Sequence, residues 1–245
     1  MRIIARLDIK NEYVIKGIQM EGLRKVGDPT ELATKYYKSS VDELLFMDAV
    51  ATLYGRNNLF KLIKDLCKQI FIPVTIGGGI RSVSDAEFAL ANGADRVAIN
   101  TAAVNNINLI TEIASNFGAQ AVVGSVEAKR VQDKIIVYTH NGREPTNMDV
   151  VSWSRSLYDA GCGEVLVTSI DKDGSRKGFD NELTKSIVSS VNCPVVVSGG
   201  FGNIDHLDAV LSDCPLSGIA IGAAFHYQNV TVDQVRKATV MLRDK

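Results

Sequence analysis

The sequence predicts an α/β fold, a closed barrel of eight parallel strands, each followed by a helix. Three observations predict it. Eight short β-rich runs alternate with stretches of helical periodicity. The motifs of the first half recur in the same order in the second. A length of 245 residues suits a single barrel of this kind.

The runs, in order, are "RIIARLD" (2–8), "DELLFMD" (42–48), "PVTIG" (73–77), "DRVAIN" (95–100), "QAVVGSVE" (120–127), "GEVLVTS" (163–169), "PVVVS" (194–198) and "GIAIG" (218–222). Helical spacing fills the gaps. In "RNNLFKLIKDLCKQI" (56–70) the apolar positions are Leu59, Leu62, Ile63, Leu66 and Cys67. Eight strands close a (β/α)8, or TIM, barrel.

"PVTIGGGI" (73–80) matches "PVVVSGGF" (194–201), and "DELLFMD" matches "GEVLVTS", both at an offset of 121. "VAINTAA" (97–103) matches "IAIGAAF" (219–225) at 122, and "RLDIK" (6–10) matches "SVEAK" (125–129) at 119. The repeat implies two similar half-barrels, about 1–118 and 119–245. No Pro-, Ser- or Gly-rich linker parts them, so one domain is expected. Two long connections follow the first and fifth strands. Residues 11–28 form a glycine-bearing loop. The other, after Glu127, contains "DKIIVYTHNG", which alternates and ends in the hairpin signal Asn141-Gly142. Barrel chemistry sits on loops at this C-terminal face.

Composition narrows the function. The net charge of -1 gives no basic footprint for nucleic acid. No apolar run is long enough to span a membrane, and the first residues carry no signal-peptide core. Four cysteines without C-x-x-C pairing read as reduced thiols of a cytoplasmic protein. Three scattered histidines do not suggest a metal site, and no cofactor is expected.

Glycines at strand ends let backbone N–H groups converge on an anion. "GGGI" (77–80), with Gly79, and "NTAA" (100–103), with Asn100 and Thr101 as donors, make one such cradle. Ser198, Gly200, Gly222 and Ala223 repeat it. Single loops of this kind are often plain turns. Paired loops in both halves predict a substrate with a phosphate at each end.

Asp8 and Glu127 occupy equivalent positions, ending strands one and five, which oppose each other in a ring of eight. They fit a general acid and base across the mouth; salt-bridged strand ends are the plainer alternative. Arg6 shares a strand face with Asp8. Arg2, Glu43, Arg96 and Glu164 lie near N-terminal strand ends and can close a ring of ion pairs at the floor, as a structural plug or a gate. In "SIDKDGSRKGFD" (169–180), Asp173 and Gly174 suit substrate hydroxyls better than a metal, because the rest of a calcium loop is missing.

Together "LDIK", "VIKG", "LRKVGDP", "DELLFMD", "IGGGI", "INTAAV", "EAKR", "GCGEVLVTSIDKDG", "SGGFG" and "FH" resemble the cyclase subunit of imidazole glycerol phosphate synthase, the HisF family, over essentially the whole chain. The resemblance implies a barrel working with a class I glutaminase subunit (HisH-like) docked on the N-terminal face. Ammonia crosses the barrel to meet a bisphosphorylated ribulosyl aminoimidazole carboxamide nucleotide. Asp8 and Glu127 fall at the family's two acid–base positions, Lys16 at a lysine of the mobile first loop, and Arg2, Glu43, Arg96 and Glu164 at the floor gate.

Two departures from the family pattern stand out. Glu127 replaces an aspartate, and Arg6 replaces a small cysteine. Arg6 is expected to point inward below Asp8, reach Asp8, Glu127 or both, lower their pKa values and narrow the ammonia route. Glu127 is expected to be its compensating partner. The departures fit an alternative, in which a HisF-like barrel only conducts ammonia to a separate amidotransferase making amidino sugars. A sugar isomerase of the same half-barrel ancestry fits less well, having no need of the charged floor.

Overall fold

The computed structural model describes residues 1–49, 58–212 and 214–243. The strands are β1 (Arg2–Lys10), β2 (Tyr13–Ile18), β3 (Glu21–Gly27), β4 (Glu43–Asp48), β5 (Val74–Gly77), β6 (Arg96–Ile99), β7 (Val122–Val131), β8 (Lys134–Thr139), β9 (Glu144–Asp149), β10 (Glu164–Ser169), β11 (Val195–Ser198) and β12 (Gly218–Ile221). The helices are α1 (Pro29–Lys38), α2 (Asn58–Leu66), α3 (Val83–Ala91), α4 (Thr101–Asn105), α5 (Asn108–Phe117), α6 (Val150–Asp159), α7 (Asn181–Val188), α8 (Asp205–Leu211), α9 (Ala223–His226) and α10 (Val232–Arg243).

Eight strands pair in parallel in the order β1–β4–β5–β6–β7–β10–β11–β12. β12 returns to β1, with Arg2 opposite Gly218, and the barrel closes. Each barrel strand falls on its predicted run, and β1 and β7 run on past it. Of the helix expected over 56–70, the structure gives Asn58–Leu66; positions 56 and 57 and the Leu59 side chain lie outside the described residues.

Alternation along β1 sorts its side chains. Ile3, Ala5, Leu7 and Ile9 face the helices and join the large outer cluster. Ile4 faces inward with Leu45, Met47, Ala98, Val123, Leu166, Val196 and Ala220. The barrel therefore has an apolar middle, not a bore lined with polar groups. Side-chain caps start the helices: Asp28 bonds the N–H groups of Thr30 and Glu31 ahead of α1, and Ser82, Asp149 and Asp180 cap α3, α6 and α7.

The segment 11–28, expected as a loop, is a two-stranded hairpin. β1 turns back at Asn11 and pairs antiparallel with β2, which pairs with β3. β7 does the same at Gln132, through β8 and β9. The tips match as well. Gln19 and Met20 have φ of 54° and 60°, and His140 and Asn141, each 121 positions later, have 54° and 58°. The internal repeat thus continues through both hairpins. Their tips meet over the mouth, where a Cβ on Gly142 would lie 2.8 Å from Met20 Sδ.

Candidate active site at the barrel mouth

The floor comes first along the barrel axis. Arg2 Nη1 lies 2.7 Å from Glu43 Oε2, and Arg2 Nη2 also pairs with Glu164. Arg96 closes the ring, 3.0 Å from Glu164 and 3.5 Å from Glu43. Thr75 Oγ1 donates to Glu43 Oε1 at 2.6 Å. Both carboxylates are buried, while the arginines are 26% and 19% exposed at the side chain, so the cations form the outer surface of the plug. Burial raises the Glu164 pKa, although Arg2 and Arg96 oppose the shift.

Above the apolar middle lies Arg6, 2% exposed. Its Nε donates to Asp8 Oδ1 at 2.8 Å. Its Nη1 donates to Thr168 Oγ1 at 2.8 Å and Ser198 Oγ at 3.1 Å, reaching β10 and β11 from β1. Lys16, on β2, donates to Asp8 Oδ2 at 2.7 Å and Asp173 Oδ1 at 2.9 Å. Positive and negative groups thus alternate from Arg6 through Asp8 and Lys16 to Asp173. They line a small cavity together with Ile15, Met20, Leu23 and Asn141. Burial alone would lift the Asp8 carboxyl, but Arg6 and Lys16 together hold it well below the usual carboxylate range. Burial also works against the charges of Arg6 and Lys16; the facing carboxylates more than offset it and raise both pKa values.

Glu127 is placed differently. Its Oε2 accepts from the Gly142 N–H at 2.8 Å. Among the described residues Arg6 makes its ion pair with Asp8 and has none with Glu127. The expected Arg6–Glu127 partnership is therefore not formed, and the expected lowering of the Glu127 pKa is reversed. Burial, helped by Asp8 and Asp173, pushes this carboxyl up to about 7 against the pull of Arg6 and the Gly142 N–H. Glu127 lines an open cavity of about 550 Å³.

That cavity joins Glu127 to Gly78, Gly79, Asn100, Thr101, His140 and Asn141. It brings the first anion cradle and one of the two carboxylates together. Two expected donors behave otherwise. Asn100 Nδ2 is committed to Tyr138 O at 3.1 Å, and its unpartnered buried atom is the acceptor Oδ1. Ser198 Oγ accepts from Arg6 and donates to Ala220 O, so it faces the barrel interior. Thr101 Oγ1 accepts from the His140 N–H at 3.1 Å and keeps its own proton to give.

In the second half, Gly200 packs so closely that a Cβ would stand 2.0 Å from Gly178 O. Gly174 has φ of 68°, and a Cβ there would stand equally close to Gly17 O of the first hairpin. Gly222 has the same unusual backbone as Asn100, with φ and ψ near −110° and −82° against −119° and −86°. Beside it, buried Ala223 opens α9, and the Lys16 stem and His226 border the glycine. His226 Nδ1 lies 2.6 Å from Tyr36 Oη, and its Nε2 is buried without a partner. Burial, then Lys16, lowers the His226 pKa to about 4, so the ring is neutral.

The sequence reading missed His140, Asn141 and the Gly142 N–H as site groups. Their signal was present: they form the tip of the hairpin announced by Asn141-Gly142, in the same segment as Glu127. No cluster of three or more His, Cys, Asp or Glu among the described residues could hold a metal ion. No described helix is long and apolar enough to cross a membrane.

Residues 2–231 match the model of a family described as histidine biosynthesis protein. A relative from Legionella pneumophila is 56% identical over 209 residues, which is 85% of this chain and 99% of the relative. One from Sulfurisphaera tokodaii is 44% identical over 236 residues, covering 96% and 94%. One from Myxococcus xanthus is 45% identical over 235 residues, covering 96% and 93%. All three are named imidazole glycerol phosphate synthase subunit HisF.

Proposed function

The chain belongs to the histidine biosynthesis protein family, and from that premise we propose that it is the cyclase subunit of an imidazole glycerol phosphate synthase. It takes ammonia and a bisphosphorylated ribulosyl aminoimidazole carboxamide nucleotide. It releases imidazole glycerol phosphate and an aminoimidazole carboxamide ribonucleotide. The observation that carries this reading is the near full-length match to relatives bearing that name. The alternative of an ammonia conduit for amidino sugars draws no support from those names.

The geometry suits the reaction. β1 and β7 are four places apart in a ring of eight, so Asp8 and Glu127 bracket the mouth. In this reading Gly79, Thr101 and the backbone at Asn100 hold one phosphate. The backbone at Ser198, Gly200, Gly222 and Ala223 holds the other. Lys16, Asp173 and Gly174 meet the middle of the substrate. The partner is a glutaminase subunit on the floor face, with Arg2, Glu43, Arg96 and Glu164 as the gate that admits neutral ammonia. The thiols of Cys67, Cys162 and Cys193 fit the reducing cytoplasm this reading assigns.

The test is ammonium-driven turnover of the bisphosphorylated nucleotide at mildly alkaline pH, without a glutaminase, followed by loss of substrate absorbance. Turnover that Asp8→Asn and Glu127→Gln both reduce is expected. No turnover from folded protein would overturn the reading.

A further inference from the structure

We propose that Arg6 is a positioning residue that divides the work of the two carboxylates. With Lys16 it holds Asp8 as a fixed anion beneath the first hairpin, and Glu127 alone gives and takes protons at the open cavity. The assignment rests on the cyclase reading for its chemistry, but its geometry is independent of it.

Consider what a proton would meet at each carboxyl. Both oxygens of Asp8 already accept from a cation, Arg6 Nε on one and Lys16 Nζ on the other. Lys16 in turn pairs with Asp173, so the cation on the second oxygen is itself anchored. Protonating Asp8 breaks a charge-assisted bond and strands a buried cation. Arg6 cannot turn aside cheaply, because Thr168 and Ser198 also hold its guanidinium on two other strands. Glu127 has only a backbone N–H on one oxygen and no ion pair among the described residues. It lines the 550 Å³ cavity that Asp8 does not line. Its proton can come and go without breaking an ion pair.

The Arg6 change and the Glu127 change then belong together without touching each other. Arg6 fills the layer beneath the mouth and takes Asp8 out of proton exchange. The longer side chain at 127 places the remaining carboxyl at the cavity. The groups that act on Glu127 are Arg6 and Asp8 from β1, Asp173 from the loop after β10, and the hairpin tip with the Gly142 N–H. His140 of that tip lines the same cavity. Burial and the two carboxylates outweigh Arg6, which agrees with a group that exchanges its proton near neutrality.

The test follows the carboxyl carbons of Asp- and Glu-labelled protein by carbon-13 NMR against pH, with Asp8→Asn and Glu127→Gln to assign the two signals. In the unaltered protein the Glu127 signal is expected to titrate near neutrality and the Asp8 signal to stay still. Arg6→Met is expected to bring the Asp8 signal into the titrating range. Should that variant fail to fold, Thr168→Val with Ser198→Ala loosens Arg6 while keeping its charge, and a smaller upward movement of Asp8 is expected. The acid limb of ammonium-driven kcat should follow Glu127 and vanish in Glu127→Gln, with kcat lower by roughly 10²–10⁴-fold. An Asp8 signal that titrates beside Glu127 in the unaltered protein, or that ignores the Arg6 changes, overturns the division of roles even if turnover is normal. The expected titrations without any turnover leave the division standing and remove the cyclase reading.

Discussion

The N–H of Gly142 lies 2.8 Å from Oε2 of Glu127, so the tip of the second hairpin holds a carboxylate on the opposite side of the barrel mouth from Asp8. The residue has φ of 74°, and a Cβ there would crowd Met20 Sδ at 2.8 Å and Ile170 Cδ1 at 3.3 Å. Gly142→Ala is therefore expected to displace the tip and weaken that bond. The bond favours the charged carboxylate, so its loss moves the acid limb of the pH profile upward, with kcat down roughly tenfold or more. An unchanged pH profile would show that the bond has no hold on Glu127.

Burial of Glu127 has a stability cost with a definite sign. Its pKa rises from 4.5 to about 7 on folding, so its contribution is intact below 4.5 and lost as pH rises through 7. Glu127→Gln should match the unaltered protein at low pH and exceed it above neutrality by roughly 3 kcal/mol. Urea unfolding across pH reads this directly. A constant difference between the two proteins would contradict it.

Glu164 serves both arginines of the floor. Glu164→Gln should cost about 1–2 kcal/mol, less than a fully buried pair because both arginines are partly exposed. Under the proposed function, glutamine-driven turnover with the partner subunit should fall while ammonium-driven turnover persists. Equal losses in both assays would make the ring a structural plug only.

His226 predicts an acid-side weakness. With its pKa lowered to about 4, the stability it contributes is present above 6.5 and is lost as pH falls through 6.5 towards 4. His226→Gln should flatten stability over that interval. Tyr36→Phe, which strands Nδ1, should cost about 1–3 kcal/mol. Parallel stability curves for His226→Gln and the unaltered protein would place the acid sensitivity elsewhere.

The barrel strands were legible because buried parallel strands read as short apolar runs between turn residues, and because each run occurs twice. The floor ring was legible too, since alternation places Arg2 and strand order places Glu43, Arg96 and Glu164. The first hairpin was not. Its tip residues Gln19 and Met20 adopt left-handed backbone without the Asn-Gly signal that marks its counterpart. Side-chain commitments were also out of reach. Nothing in "NTAA" says that Asn100 spends its amide on Tyr138 O. Nothing in "ARLDIK" says whether an inward arginine meets Asp8 or Glu127. Those choices are made by the distances that strand order sets, between residues far apart in sequence.

The floor ring also bears on how long the fold survives. Arg2, Glu43 and Arg96 come from the first half of the chain, and Glu164 is the ring member from the second. The Arg2 N–H bonds Ser217 O where the first and last barrel strands meet. These contacts join distant parts of the chain, and such contacts form late in folding. Interactions made after the transition state slow unfolding and leave the folding rate nearly unchanged. Glu164 is thus expected to act as a rivet in kinetic terms, so that Glu164→Gln shortens the life of the closed barrel and does little to slow its formation.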